Sequence, residues 1–394
     1  MTLTPRFNRR SFLAGSAALG LNTLLSSCGA SPRPFKVRLL KGSMPVQMVG
    51  AYRTLSAHNT TAPLDVIPEA QVSQLFRLLQ NWAVGDEGNP PTGLGRLWPL
   101  RQPDTVADLV SLGDAWLPAA IRQDLIQPFP AVEAEAQWLS WNWMPEFWKA
   151  LGRRDAQGFP SPDGDLWAVP YRWGSTVIAY RQDQCRKWGW EPQDWDDLWR
   201  DEVRDRLVLP DLAREVIGLT LKSLGRSYND LNPSQVPELA VKLAQLQRQV
   251  KFYSSDTYLQ PLLLGDATIA VGWSTDLLPL LAYDRKIRLV FPPSGPALWA
   301  DLWVHPRTAS GETAAMNEWI NFCWDAKIAP KFAELGQGTS PLGLGVDPST
   351  VSNHHILVPD RDRFDRSEFI NPLPPAALAQ YQDLWQRMRQ GSLG

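Results

Sequence analysis

Residues 166–180 read LWAVPYRWGSTVIAY, and residues 298–305 read LWADLWVH. We interpret residues 166–171 and 177–180 as two strands joined through residues 172–176, because short apolar runs with Tyr, Trp and Val favour extended structure. Residues 298–305 form a further strand by the same reasoning. Around these segments, predicted strands alternate with amphipathic helices. That alternation indicates an α/β fold with largely parallel sheets.

The composition is that of a folded protein with a sizeable core. Of the 394 residues, 44% are hydrophobic and 20% are charged, which argues against intrinsic disorder. The 39 Lys and Arg nearly balance the 41 Asp and Glu, and a net charge of −2 argues against a general nucleic-acid-binding protein. The 19 Trp residues exceed what packing alone needs, so we expect some of them to line a binding surface.

The first 27 residues have the pattern of an export signal. Arg6, Arg9 and Arg10 precede a run of small and apolar residues, and this stretch contains no acid. Residues 25–29 (LSSCG) resemble a bacterial lipobox, in which Cys28 becomes the lipidated N-terminus of the mature chain. An ordinary secretory peptide with an incidental Cys is the alternative.

The route and destination of export follow from the same region. Residues 8–13 (NRRSFL) resemble a twin-arginine signal, although adjacent Arg residues also occur by chance in other signal peptides. Beyond residue 27, no stretch approaches 18 uncharged apolar residues, so we predict no transmembrane helix. We expect the mature protein at the periplasmic face of the cell membrane, held by the lipid on Cys28.

No catalytic or metal-binding motif is recognisable. The phosphate-binding, zinc-protease, dithiol and nucleophile-elbow patterns are all missing from the sequence. The adjacent His354 and His355 are typical of a solvated loop. We therefore predict a protein that is not an enzyme and that needs no metal or cofactor. Cys185 and Cys323 either form a disulfide or are buried as free thiols, and we favour free thiols.

Trp299 and Asp301 stand out as a candidate binding pair. Residues two apart on a strand point to the same face, so an indole and a carboxylate would project together. Such a pair suits an organic cation, because the carboxylate supplies charge and the face of the ring attracts the cation. A core Trp beside a solvated Asp is the alternative explanation of this pattern.

Five segments resemble the spermidine/putrescine-binding proteins of bacterial ABC importers, a type 2 periplasmic binding protein family. In the family's order, they are residues 168–176 (AVPYRWGST), 195–199 (WDDLW), 211–216 (DLAREV), 265–273 (GDATIAVGW) and 298–301 (LWAD). The resemblance extends over roughly residues 100–335. It implies two α/β lobes that close on a ligand held between them.

The resemblance also implies how the chain divides between the lobes. Residues 36–170 and 300–394 would form lobe 1, and residues 171–299 would form lobe 2. The resemblance leaves open whether the C-terminal part packs on lobe 1 or on lobe 2. The crossover strands would lie near residues 170–180 and 291–305.

By the same resemblance, the family's amine-binding acids and aromatic residues correspond to Glu215, Trp273, Trp299 and Asp301. We add Trp173, which lies in the first of the five segments. The carboxylates would pair with ammonium groups, and the indoles would sandwich the methylene chain of the ligand.

The sequence departs from the family pattern at several of these positions. The family has an Asp three residues before the position of Glu215, where this chain has Leu212. Asp211 is one residue earlier, and one residue on a helix turns a side chain by about 100°. Two family positions after an apolar strand are also replaced, and Asp114, which lies between them, is a candidate replacement acid. A related small cation or polar solute, rather than spermidine itself, is therefore the expected ligand.

These observations lead to the hypothesis of a lipid-anchored solute-binding protein of an ABC importer. It would bind a small polyamine-like cation between its lobes and deliver it to the permease in the membrane. Closure requires only that the ligand binds the closed state more tightly than the open one. A carbohydrate-active or glycan-binding lipoprotein is the alternative, because indoles stack on sugar faces. A third hypothesis is a binding-protein fold that has lost transport and acts as a sensor or an assembly factor.

Overall fold

The computed structural model describes residues 33–59, 62–85, 105–130, 136–311, 313–335, 338–342, 354–357 and 359–393. The expected signal segment (residues 1–27) and the expected lipidation site, Cys28, lie outside these residues. Within the described residues, no helix combines the length and the apolar character that crossing a membrane requires.

Strands and helices alternate along the described part of the chain. The strands are β1 (Phe35–Leu40), β2 (Leu64–Glu69), β3 (Leu109–Gly113), β4 (Ile126–Gln127), β5 (Arg153–Arg154), β6 (Asp165–Leu166), β7 (Ala168–Arg181), β8 (Leu207–Leu209), β9 (Val250–Tyr253), β10 (Ile269–Trp273), β11 (Ile287–Val290), β12 (Ala297–Pro306) and β13 (Glu368–Phe369). The α-helices are α1 (Val46–Asn59), α2 (Val72–Ala83), α3 (Leu117–Arg122), α4 (Glu146–Gly152), α5 (Gln182–Trp188), α6 (Ala213–Ser223), α7 (Leu239–Gln249), α8 (Leu259–Leu264), α9 (Ser274–Leu277), α10 (Leu280–Tyr283), α11 (Thr313–Cys323), α12 (Pro330–Glu334), α13 (His354–Leu357), α14 (Arg361–Arg366) and α15 (Pro375–Gln390). Short 3-10 helices lie at Asp114–Trp116, Trp141–Trp143, Trp195–Trp199, Asp201–Val203 and Pro233–Gln235.

One mixed sheet runs through the molecule in the order β2-β1-β3-β12-β7-β10-β8-β9. The outer strands pair in parallel: β1 with β2 and β3, and β8 with β9 and β10. The central strands β7 and β12 pair antiparallel with each other, and each pairs antiparallel with its outer neighbour. The prediction of largely parallel sheets is therefore correct for the outer strands and wrong for the centre.

The central strands divide the molecule into two lobes. We call β1, β2 and β3, with the elements packed on them, the first lobe. We call β8, β9, β10 and β11, with the elements packed on them, the second lobe. β7 and β12 belong to both, since each pairs with strands of one lobe and crosses towards the other.

β7 is one strand of 14 residues rather than the two short strands that the sequence suggested. Its N-terminal half pairs with β12, and its C-terminal half pairs with β10 and β11, so hydrogen-bonding partners exist along its whole length. Pro170 is accommodated because the register shifts between Asp301 and Leu302 of β12 at this point, and bulges are among the places where a sheet accepts Pro.

Helix α2 illustrates how the sequence builds the first lobe. Its apolar residues recur at helical spacing, and Leu75, Phe76, Leu79 and Trp82 are buried. The helix packs on β1, β2 and β3. The apolar spacing of residues 71–82 is thus that of an amphipathic helix, which is the element that the structure contains.

The terminal helix α15 packs on the second lobe. Tyr381, Leu384 and Met388 are buried in the same apolar cluster as residues of α6 and α7. The Tyr381 hydroxyl lies 3.1 Å from the carbonyl oxygen of Tyr228, close enough to donate a hydrogen bond to it. The sequence left open which lobe the C-terminal part packs on, and α15 packs on the second lobe.

Many of the indoles fill the cores of the two lobes. Those with almost no exposure are Trp82, Trp138, Trp148, Trp173, Trp195, Trp303, Trp319 and Trp324. Packing therefore accounts for much of the high Trp content.

The two cysteines of the described residues are buried free thiols. Cys323 lies in the core of the first lobe, and Cys185 lies in the core of the second lobe. The preferred prediction of free thiols is confirmed, and a disulfide between them is absent because each sulfur is enclosed in a different core.

Candidate functional site

A cavity of about 280 Å³ lies beside the central strands, between the two lobes. Its walls come from the turn after β3 in the first lobe, from the end of β10 in the second lobe, and from β7 and β12. The lining residues are Leu40, Val72, Gly113, Asp114, Ala115, Trp116, Arg172, Trp273, Thr275, Asp276, Trp299, Ala300 and Asp301. Clefts between lobes are common ligand sites, so this cavity is the candidate binding site.

Trp299 and Asp301 both line the cavity. Asp301 does not, however, present an unpaired carboxylate to it. Its Oδ2 lies 2.6 Å from Nε of Arg172, and both side chains are buried. The two residues face each other in the register of β7 and β12, so the backbone holds the ion pair in place. The Arg172 guanidinium also lies 5.3 Å from the centre of the Trp299 ring, within cation–π range.

Gly174 makes room for the indole of Trp299. The two residues are partners in the register of β7 and β12. A Cβ at position 174 would lie 2.3 Å from Cζ2 of Trp299 and 2.8 Å from Oγ of Ser274. Any larger residue would displace the ring, so the glycine fixes where this indole can lie.

The second lobe contributes Trp273 and Asp276. The Trp273 ring meets the Tyr258 ring edge to face, with centres 5.8 Å apart. The Tyr258 hydroxyl donates a hydrogen bond to Oδ2 of Asp276 at 2.9 Å and accepts one from the backbone N–H of Trp273 at 3.3 Å. Burial raises the pKa of Asp276, and the Tyr258 hydrogen bond and the charge of Arg172 oppose this rise.

Asp114 supplies a carboxyl group from the first lobe. Its Oδ1 accepts a hydrogen bond from the backbone N–H of Ala300 at 3.3 Å, which joins the turn after β3 to β12. Burial raises the pKa of Asp114 to about 7, although the Ala300 hydrogen bond and the charge of Arg154 lower it. This carboxyl group therefore changes between its neutral and charged forms near neutral pH.

Glu215 is buried and is not among the residues that line the cavity. Both of its carboxyl oxygens lie 3.2 Å from Oγ1 of Thr176 on β7, which can donate a hydrogen bond to either. Glu215 stands in the first turn of α6, where the helix dipole favours negative charge. Burial nevertheless raises its pKa to about 7, and the charge of Asp114 adds to the rise. A direct contact between Glu215 and a ligand stays a prediction.

Trp173 is not among the residues that line the cavity, so its expected contact with a ligand stays a prediction. Its indole is 1% exposed and lies 5.4 Å from the ring of Trp148 and from the ring of Phe364. Side chains alternate along a strand, so Trp173 faces the core while the neighbouring Arg172 faces the cavity.

The positions before α6 supply no carboxylate to the cavity. Asp211 forms an ion pair with Arg389 of α15, with Nη1 and Oδ1 2.5 Å apart, and neither residue lines the cavity. The adjacent Leu212 is 40% exposed.

Sequence reasoning missed several residues of the site. Arg172, Trp116, Tyr258 and Asp276 line or support the cavity and were not among the candidates. The available signal for Asp276 was its place directly after a strand, because ligand sites in α/β sheets gather at strand ends. Within the described residues, no group of three His, Cys, Asp or Glu is placed to hold a metal ion.

Comparison with known proteins identifies the family. A family model described as bacterial extracellular solute-binding protein matches residues 104–367. The chain belongs to this family. The solute-binding fold and the resemblance carried by the five segments are thereby confirmed.

Among the relatives of this solute-binding protein are proteins named for their amine ligands. The spermidine/putrescine-binding periplasmic protein of Salmonella typhimurium is 28% identical over 236 residues, which are 58% of this chain and 65% of that protein. The putrescine/cadaverine-binding protein of Pseudomonas aeruginosa is 24% identical over 250 residues, 60% of this chain and 70% of that protein. The match thus spans a little under two thirds of the length of the first relative.

Solved structures share the two-lobed fold. The spermidine/putrescine ABC transporter substrate-binding protein of Streptococcus pneumoniae superposes with a TM-score of 0.73 at 20% identity, over 91% of this chain and 99% of that one. A lipoprotein of Treponema pallidum superposes with a TM-score of 0.65 at 16% identity, over 90% and 99% of the two chains. The predicted type 2 periplasmic-binding-protein fold with crossover strands is therefore confirmed.

Proposed function

We propose that this protein is the solute-binding component of an ABC importer and that it binds a small, polyamine-like organic cation between its lobes. The observation that carries the proposal is one cavity lined by carboxyl groups of both lobes, Asp114 and Asp276, together with three indoles. A buried ammonium group needs a carboxylate partner, and indole faces suit both methylene groups and positive charge. The amine ligands in the names of the relatives support the same class.

Ligand binding in this proposal involves no chemical reaction, so the protein is not an enzyme and needs no cofactor. A cation in the cavity would contact Asp114 from the first lobe and the Trp273–Asp276 region from the second lobe. It gains both sets of contacts only when the lobes are together. That difference in affinity between the closed and open states would drive closure around β7 and β12.

Anchoring and location form part of the same proposal. After removal of residues 1–27, Cys28 would carry the lipid that holds the protein at the periplasmic face of the cell membrane. The twin-arginine pattern of residues 8–13 supports export in the folded state. There the closed, loaded form would deliver its ligand to an ABC permease.

We propose the lobe boundaries of the sequence analysis with one refinement. Residues 36–170 and 300–394 would belong to lobe 1, and residues 171–299 would belong to lobe 2. The packing of α15 against α6 and α7 supports moving that helix to lobe 2.

The carbohydrate alternative has lost its main support. It rested on the abundance of Trp, and many of these indoles are enclosed in the cores, where no sugar reaches them. No observation in the described residues favours it over a cation.

Thermal unfolding with a panel of amines, amino acids and sugars tests the proposal. A cation that binds only the folded state stabilises it by mass action, by about 2.7 kcal/mol at a concentration of 100 times Kd. We expect a polyamine or a related amine to raise the melting temperature and Asp114→Asn to reduce that rise. Stabilisation by sugars alone would favour the glycan hypothesis, and a panel without any amine effect would refute the proposal.

A further inference from the structure

Arg172 places a positive charge inside the cavity proposed for a cation. The Arg172 residue is 4% exposed, and its Nε lies 2.6 Å from Oδ2 of Asp301, a residue that is 5% exposed. The register of β7 and β12 sets these residues opposite each other, so the ion pair is a fixed part of the sheet. This ion pair would not help a protein that bound its cation through Asp301, because Arg172 already occupies that carboxylate.

The guanidinium takes the two contacts that an ammonium group would use at this end of the cavity. It forms a charge-assisted hydrogen bond with the Asp301 carboxylate, and it lies 5.3 Å from the centre of the Trp299 ring. Both partners are thereby occupied by a group of the protein itself. A second cation could enter only by displacing a buried, paired Arg, which would leave a buried charge without compensation.

The charge of Arg172 also extends to the carboxyl group of the second lobe. It is one of the influences that lower the pKa of Asp276, whose carboxylate is already hydrogen-bonded to Tyr258. Three carboxyl groups line the cavity, those of Asp114, Asp276 and Asp301. Asp114, on the opposite lobe, is the one that pairs with neither Arg172 nor Tyr258. The region before α6 adds no further acid, since Asp211 pairs with Arg389.

We infer that Arg172 is a specificity-determining residue, which limits the cavity to ligands with one ammonium group bound at Asp114. The remainder of the ligand is uncharged and lies along Trp273 and Trp299 towards the Arg172–Asp301 pair. This inference rests on the proposed function and narrows its ligand class from polyamines to monoamines.

The test compares two amines of equal carbon number by isothermal titration calorimetry at pH 8: n-butylamine, with one ammonium group, and putrescine, with two. For the unaltered protein we expect putrescine to bind no more than about threefold more tightly than butylamine, a margin that includes its two equivalent ends. A preference for putrescine of tenfold or more would overturn the inference without any variant.

Three variants of the pair extend the test. Arg172→Met exposes the Asp301 carboxylate to the ligand, and we expect it to shift the ratio of the two Kd values at least tenfold in favour of putrescine. The double variant Arg172→Met with Asp301→Asn removes both buried charges, which keeps the fold free of an unpaired ion, and it should return the ratio to that of the unaltered protein. Arg172→Lys keeps the charge and should keep the ratio.

A matched control uses an ion pair of the same length outside the cavity. Arg38 on β1 lies 2.6 Å from Glu69 on β2, and Arg38→Met should leave the Kd ratio unchanged. Binding of both amines with a ratio that Arg172→Met does not alter would refute this inference and leave the proposed function standing. Absence of binding by either amine would refute the proposed function as well.

Discussion

Two carboxyl groups make the site sensitive to pH: that of Asp114, which lines the cavity, and that of the buried Glu215. The pKa of each is about 7, chiefly because of burial. Between the ordinary pKa of a carboxyl group and pH 7, the folded state holds these protons while the unfolded chain releases them. Stability contributed by protonation is therefore present at low pH and is lost as the pH rises towards 7. The charged forms that a cation needs appear in the same range in which the fold loses this stability.

Asp114→Asn separates these two effects. The variant cannot ionise, so it avoids the cost of a buried charge at pH 8 and does not gain from protonation at pH 5. We expect its stability relative to the unaltered protein to be greater at pH 8 than at pH 5, by about 1–3 kcal/mol in the free energy of unfolding. Urea unfolding at both pH values measures this difference. A relative stability that is equal at both pH values would show that Asp114 titrates in its ordinary range.

Individual residues also show how far the sequence could predict the site. The two-residue spacing of Trp299 and Asp301 predicts one shared face, and the structure puts both side chains on the cavity. The pairing of Asp301 with Arg172, 129 residues away, depends on the register of β7 against β12. No local pattern specifies that register. The sequence therefore could not show that the Asp301 carboxylate, which was expected to bind ligand, is already paired with Arg172.

At the scale of elements, the continuity of β7 decides the geometry of the site. One strand places Arg172 in the wall of the cavity and Thr176 beside Glu215, and it pairs with β12 and with β10 and β11 of the second lobe. Pro170 and Gly174 suggest interruptions when the sequence is read locally. Neighbouring strands override that reading, because partners on both sides supply hydrogen bonds along the strand.

Gly174→Ala tests the role of this strand in placing the Trp299 indole. The added Cβ would overlap the ring, so we expect the free energy of unfolding to fall by about 1–3 kcal/mol and ligand affinity to fall with it. Gly50→Ala in α1 is the control, since a Cβ there meets nothing within 4 Å, and it should stabilise the protein by about 0.5–1 kcal/mol. Chemical unfolding and calorimetry check both variants. Unchanged stability and affinity in Gly174→Ala would contradict the proposed crowding.

Strand β2 is an element that the sequence pattern did not predict. Residues 64–69 (LDVIPE) contain two acids and a Pro and were not predicted as a strand. β2 is the edge of the sheet and pairs only with β1 among the described strands. An edge strand tolerates Pro and exposed charge, so it lacks the apolar run that identifies a buried strand.

For the whole molecule, the central strands define a hinge between two separately packed lobes. A ligand that bridges the lobes should shift the population towards a closed, more compact form. We expect small-angle X-ray scattering to show a smaller radius of gyration with a saturating amine than without it. Asp114→Asn at the same amine concentration should show little change. Equal radii for the unaltered protein with and without bound amine would indicate that the lobes do not move.

The overall architecture was more predictable than its details. Five short segments in the correct order predict the family and the two lobes. Residues 168–176 lie on β7, residues 298–301 lie on β12, and residues 211–216 meet β7 through Glu215 and Thr176. The packing of α15 on the second lobe was not predictable, since an amphipathic helix shows only that one face is buried and not what covers that face.

The two thiols lead to a last consequence. Cys323 and Cys185 are fully enclosed in different lobes, and burial raises the pKa of Cys185 to about 12 and raises that of Cys323 as well. Neither sulfur is nucleophilic while its own lobe is intact. Each of these two thiols therefore reports on the opening of one lobe. The rate at which an alkylating reagent consumes each sulfur records how often that particular half of the molecule comes apart.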